Sequence, residues 1–149
     1  SPEELYERAK DFLPEGSEEY PKEFILKILG LEQPRLKKLS EISGMTDYFF
    51  RAPEYDKELL RWKEMTDKEV VSSLDKSIEI LSKISSTFSK EEAEKEFLAE
   101  IGEGSKGGVL WPLRVALSGK KASPGPFEIL EILGAEEAIR RLKKAKNKL

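Results

Sequence analysis

The chain has 149 residues, 37% of them charged and 38% hydrophobic, with a formal net charge of −3. That length suits one ordinary domain or two small helical ones, and the charge argues against a uniformly basic nucleic-acid binder. Cysteine and histidine are both absent, which removes disulfides, thiol nucleophiles, Cys-based zinc sites and the commonest catalytic base together.

Helical signals run from the first residue. Ser1 with Pro2 and Glu4 forms a helix start, and Leu5, Ala9, Phe12 and Leu13 follow at helical spacing. The stretch Pro14-Glu15-Gly16-Ser17 ends that helix. A second helix carries Phe24, Ile25, Ile28 and Leu29 on one face and is expected to stop at Gly30. Gln33-Pro34-Arg35 is expected to open a third short helix through Leu36, Leu39 and Ile42, closing at Gly44, with Tyr48-Phe49-Phe50 as an aromatic plug. After Ala52-Pro53, residues 56–64 read as helical through Leu59 and Leu60. Thr66 with Glu69, and Ser89 with Glu92, are capping boxes that start two further helices. Residues 102–108 read as a glycine-rich loop, followed by a short helix over 112–117, another from about Phe127 to Leu133 and a last one from Ala135. Strand-like alternation is absent. The fold expected is all-α, with two subdomains at 1–66 and 67–149 hinged near 53–66.

No apolar run approaches the roughly 20 residues of a membrane span, and the N-terminus has no signal-peptide pattern. Lacking an initiator Met, it opens as if cut from a longer protein, and a cytosolic helical fragment is expected. The glycine loop has Gly102 and Gly107 at phosphate-loop spacing, but Gly108 and Val109 stand where Lys and Ser or Thr belong, and no strand precedes it. A nucleotide-triphosphate site is therefore rejected. With no His or Cys to activate a nucleophile, catalytic residues are not assigned, and neither are metal ligands.

Positive charge gathers late in the chain. No acid occurs between Glu103 and Glu128, a gap that holds Lys106, Arg114, Lys120 and Lys121. The run Arg140, Arg141, Lys143, Lys144, Lys146 and Lys148 reads as a solvated face of a terminal helix. Arg114, inside an apolar run, has two readings: it forks onto a base or phosphate, or it caps a protein carbonyl or pairs with a helix-borne glutamate. Ser123-Pro124-Gly125-Pro126 is likewise either a rest for a splayed base or the turn that starts the next helix. Trp111 is assigned to the core.

The stretch "WPLRVALSGKKASPGPFEILEILGAEEAIRRL", Trp111 to Leu142, closely resembles the C-terminal anticodon-binding region of bacterial-type glutamyl-tRNA synthetases. That family has a P-L-R-x-A-L-[ST]-G segment, an [ST]-P-G-x-F-E elbow and a terminal R-L helix. Upstream, "PRLKKLSEI", "YFF" and Tyr55-Asp56 resemble the family's P-R-[FL]-x-x-L helix, aromatic block and acidic linker.

The resemblance implies a helix bundle followed by a helical cage, of the anticodon-binding type found in class I aminoacyl-tRNA synthetases. It implies that Arg35 reads the third anticodon base, with preference for glutamate over glutamine anticodons. Arg114, Ser123, Pro124, Gly125 and Pro126 are implied at the first two bases, although Pro126 stands where the family often has Leu. Lys106, Lys120 and Lys121 are expected on the tRNA backbone. The family's nucleotide-binding signatures, of the H-I-G-H and K-[LIM]-S-K-R types, do not occur. ATP and Mg are thus expected in a catalytic half outside this chain, a glutamate–tRNA ligase for tRNA(Glu). The fragment itself is expected to be non-catalytic, cytoplasmic and monomeric, without DNA or membrane partners. The alternative is a helical protein-interaction module that does not bind tRNA.

Overall fold

Three of the expected helix starts are closed by side-chain caps in a computed structural model that describes residues 1–149. The Glu4 amide donates to Ser1 Oγ at 3.3 Å. Thr66 Oγ1 accepts from the Glu69 amide at 3.1 Å, and Glu69 Oε1 accepts from the Thr66 amide at 3.0 Å. Ser89 and Glu92 repeat the reciprocal pair. Each box satisfies amides that a helix start leaves without an internal partner.

The molecule is all-helical, with no strand, and divides into Ser1–Ala52 and Pro53–Leu149. In the first unit, α1 (Pro2–Ala9) packs against α2 (Lys22–Glu32), which in turn packs against α3 (Ile42–Phe50). Ile25, Ile28 and Leu29 of α2 are buried with Ile42, Tyr48 and Phe49 of α3. Two expectations change here. Gly30 does not end α2, which continues to Glu32, because Glu32 is itself buried and keeps the 25, 28, 29, 32 stripe on the core. Nor does a third helix run from Gln33 to Gly44. Residues Gln33–Arg35 and Leu39–Glu41 are single 3-10 turns, and Gly44 lies inside α3, which carries the aromatic block.

The second unit holds a 3-10 turn (Lys57–Leu60), α4 (Asp67–Lys83), α5 (Lys90–Ile101), α6 (Lys106–Ser118), α7 (Pro126–Leu133) and α8 (Ala135–Asn147). Helix α4 packs on both α6 and α8, and α7 packs on α5, α6 and α8. Leu74, Leu81, Phe97, Leu113, Leu117, Ile129 and Leu142 form the buried centre. The two compact units meet in sequence at Ala52/Pro53. Residues 53–66 belong with the second unit because Leu60 is fully buried there and the Trp111 indole N–H donates to the Leu59 carbonyl at 2.9 Å.

Helix α6 starts earlier than Pro112. Ser105 Oγ accepts from the Gly108 amide at 3.3 Å, so Gly107 and Gly108 form its first turn and do not belong to the loop. A Cβ on Gly107 would lie 2.3 Å from the Trp62 ring, so the absent side chain is what lets that indole pack on α6.

Candidate nucleic-acid interface

The elbow is built from the C-terminal end of α6. Gly119, at φ 68°, ends the helix in the left-handed region, and its amide donates to the Val115 carbonyl at 2.7 Å. A side chain there would strike Pro53, with its Cβ 2.6 Å from the proline's. Ser118 is buried; its hydroxyl donates to the Arg114 carbonyl at 2.8 Å and accepts from the Lys120 amide at 3.2 Å. Arg141 of α8 closes the same helix end, its Nη1 donating to the Leu117 carbonyl at 2.7 Å.

Arg114 lies across this elbow. Its Nη1 donates to Ser123 Oγ at 2.7 Å and to the Lys120 carbonyl at 3.2 Å, and its Nη2 donates to the Lys121 carbonyl at 2.7 Å. The guanidinium also lies over the Trp111 ring, 4.8 Å from its centroid. Of the two readings open from the sequence, the carbonyl-capping one describes this arrangement. Trp111 is half-buried, and it links the 57–60 turn to Arg114.

Ser123 passes the contact on, its hydroxyl donating to the Pro124 carbonyl at 2.8 Å. Pro124 is buried. Gly125 precedes α7 and its amide donates to Glu128 Oε1 at 3.3 Å, while Pro126 takes the first helical position, where its missing N–H costs nothing. Leu110, Gly125, Pro126, Phe127 and Glu128 line a cavity of about 430 Å³ together with residues of α5.

The basic residues are not all together. Lys120 and Lys121 sit on the elbow, with Lys121 exposed. Lys106 is exposed at the opposite end of α6, roughly 18 Å away for a helix of that length. Arg35 is in the first unit, exposed at the end of its 3-10 turn, with Nη1 3.9 Å from Glu32 Oε1. The C-terminal basic run is not one solvated face. Arg141 is 4% exposed, Lys146 pairs with Asp75, Lys144 with Glu54, and Lys148 donates to the Tyr55 carbonyl. Nothing local in the sequence marked Glu32, Ser118 or Arg141 as part of these arrangements; the one available signal was Glu32 standing in an apolar stripe.

Residues 4–146 match the family described as "Anticodon binding domain". The chain belongs to that family. It is 36% identical over 154 aligned positions to a glutamate–tRNA ligase of Lachnoclostridium phytofermentans, covering 99% of this chain and 30% of that protein. It is 40% identical over 124 positions to the enzyme of Clostridium tetani, covering 80% and 25%. A crystal structure of a glutamate tRNA ligase from Elizabethkingia meningosepticum superposes with a TM-score of 0.81 at 29% identity, over 99% of this chain and 29% of the other. The chain thus spans about a quarter to a third of the proteins it resembles. As an anticodon-binding domain it is a tRNA-binding protein, and the matches go against a protein-interaction module without that role. No helix is long and apolar enough to cross a membrane.

Proposed function

We propose that this chain reads the anticodon of tRNA(Glu) for a glutamate–tRNA ligase whose catalytic part lies outside it. The observation that carries the reading is the elbow at residues 118–126. The arginine of the Pro-Leu-Arg segment holds this elbow by three hydrogen bonds, to the Lys120 and Lys121 carbonyls and to Ser123 Oγ at the head of the Ser-Pro-Gly turn. A loop already held in one shape loses little entropy when it receives an unstacked strand.

The two implied arginines take different parts in this reading. Arg114 donates to protein acceptors, so it is a positioning residue that holds the elbow. Arg35 makes an ionic contact too long for a hydrogen bond, so its N–H edge can donate to a base. Ser123, Gly125 and Pro126 present the elbow surface over the buried Pro124 that fixes its bend, Lys120 and Lys121 attract the phosphates beside it, and Lys106 meets a separate stretch of backbone. The ligase reaction needs ATP and Mg. The nucleotide-binding signatures of that ligase family, of the H-I-G-H and K-[LIM]-S-K-R types, do not occur in this sequence. Both are therefore assigned to the parent's catalytic part.

The test is filter binding of tRNA(Glu), and of transcripts altered at each anticodon base, at two salt concentrations. Binding that weakens with salt and with each anticodon change is expected. Equal affinity for all transcripts would overturn the proposal.

A further inference from the structure

We infer that Lys63, seated on Trp62 at the start of α6, binds a phosphate of the anticodon stem, an inference that rests on the proposed seating of the anticodon at the elbow. Lys63 is the one residue other than glycine with a positive φ, at 57°. It stands second in a tight turn, closed by the Met65 amide donating to the Trp62 carbonyl at 3.3 Å. Glycine or asparagine adopts that backbone shape readily, whereas a lysine is held there against its own preference. Such strain collects where a side chain has a task beyond the fold.

The Lys63 side chain is exposed, and its Nζ lies over the Trp62 ring, 4.3 Å from the centroid. The indole is itself fixed on α6, in the space that a Cβ on Gly107 would take. Arg61 holds the carboxylates of Glu58 and Asp67, on either side of the turn in sequence, so neither neutralises Lys63. Exposed Lys106 adds a second cation at this helix end, and exposed Glu64 and Glu103 offset the long-range field of the two lysines. What remains is a short-range contact of one ammonium, held in place by the indole, with one phosphate.

Position ties this contact to the elbow. Gly107, Trp111 and Arg114 are the i, i+4 and i+7 places of α6 and share one face. Two cation–indole pairs lie along it, Lys63 with Trp62 at Gly107, and Arg114 with Trp111 nearer the elbow. Arg114 commits its donors to the elbow, whereas the Lys63 ammonium faces solvent. The two ends of this 13-residue helix are about 18 Å apart. That is roughly five nucleotides of a stacked strand at about 3.4 Å each, beyond a three-base anticodon held at the elbow. A strand leaving the elbow along this face therefore reaches Lys63 with its stem, where the phosphate is the same whatever the anticodon.

The experiment is filter binding across a salt series with three RNAs. These are the tRNA(Glu) anticodon stem-loop, the same stem-loop with one anticodon base changed, and the loop strand alone without its stem. Wild type, Lys63→Gly and Lys63→Arg are compared, with melting followed for each. Lys63→Gly should weaken both stem-loops alike, roughly three- to tenfold at low salt, and flatten the log–log salt slope by about 0.9 for one lost phosphate contact. It should leave binding of the stemless strand unchanged and melt no lower than wild type, since glycine suits the turn. Lys63→Arg keeps the charge and should bind as wild type does. Unchanged stem-loop affinity and slope in Lys63→Gly, or equal weakening of the stemless strand, would overturn the contact while wild type still told the anticodons apart. A lowered melting temperature with unaltered binding would assign Lys63 to the fold alone. If wild type bound both stem-loops equally, the anticodon reading itself would fail, and the placing of the stem with it.

Discussion

The Ser73 hydroxyl donates at 2.7 Å to the carbonyl of Gly108, the acceptor that Pro112 leaves without its helical donor. A proline inside a helix removes the bond to the residue four before it and normally kinks or ends the helix. In α6 a side chain from α4 supplies the missing proton, and the helix continues through Pro112 to Ser118. Ser73→Ala should therefore cost about 1–2 kcal/mol, as for a buried acceptor left unpaired. Replacing Pro112 with Ala as well should recover most of that loss, since the amide at 112 then serves Gly108. Urea denaturation of the two single variants and the double variant measures the coupling, and additive losses would refute it.

Gly107 and Gly108 are neighbours in sequence with opposite expected responses to alanine. At Gly107 a Cβ meets the Trp62 indole, whereas at Gly108 the nearest atom is Ser105 Oγ at 3.6 Å. Gly107→Ala should destabilise by about 1–3 kcal/mol through overpacking. Gly108→Ala should be neutral or stabilising by up to about 1 kcal/mol, because helical glycine is replaced without a clash. Melting temperatures of the two variants decide this, and tryptophan fluorescence should shift for Gly107→Ala alone.

What was legible in the sequence and what was not divides along the range of the interactions. Ser1, Thr66 and Ser89 cap helices through partners three residues away, so their helix starts could be read directly. Helix ends depend on tertiary packing. Gly30 looked like a stop, but a buried Glu32 beyond it keeps α2 on the core. Pro112 looked like a first helical residue because the donor that lets it sit mid-helix comes from Ser73, far away in sequence. The elbow followed from the order of its residues, yet the contacts inside it did not. Whether Arg114 faced a base or a carbonyl turned on where the loop at 120–123 folds back, which spacing alone does not encode.

Arg140 and Arg141 are adjacent and should behave very differently when replaced by methionine. Arg141 is 4% exposed, with Nε donating to Glu137 Oε2 at 2.8 Å and Nη1 to the Leu117 carbonyl, an acceptor in the last turn of α6. Removing it leaves the Leu117 carbonyl without a donor and Glu137 Oε2 without its own, while Arg140 still pairs with Oε1, at an expected cost of about 2–4 kcal/mol. Arg140 pairs with Glu136 and Glu137 on an exposed face, and its loss should stay within about 0.5 kcal/mol. Denaturant midpoints check the contrast. Equal effects would mean that the cap on α6 carries no weight.

Tyr55 gives the molecule an alkaline signature. Burial pushes its phenol up to about 12 from an ordinary value near 10, with the negative charge of Glu54 adding to the shift. The raised value means the native state holds this proton after an unfolded chain has lost it. The resulting stability is complete below pH 10 and disappears as pH rises from 10 through 12, about 2–3 kcal/mol in all. An ultraviolet titration should show Tyr55 contributing to a late ionisation. In Tyr55→Phe the late amplitude should fall by one tyrosine; an unchanged amplitude would refute the shift.

Arg114 offers the sharpest separation between holding a surface and reading a base. Its fork spans Ser123 Oγ and the carbonyls of Lys120 and Lys121, and lysine, a point charge without that planar fork, cannot bridge the three. If Arg114 positions the elbow, Arg114→Lys should weaken tRNA(Glu) and every anticodon variant by a similar factor, on the order of tenfold. Amide exchange at 120–125 should quicken at the same time, because the loop loses its tie to α6. Ser123→Ala should act in the same direction more weakly, since it removes one of the three acceptors and leaves both carbonyls. A base-reading Arg114 predicts the opposite pattern, with affinity lost for one anticodon base only and loop exchange unchanged. Filter binding across single-base anticodon variants, set beside exchange rates for the same proteins, distinguishes the two.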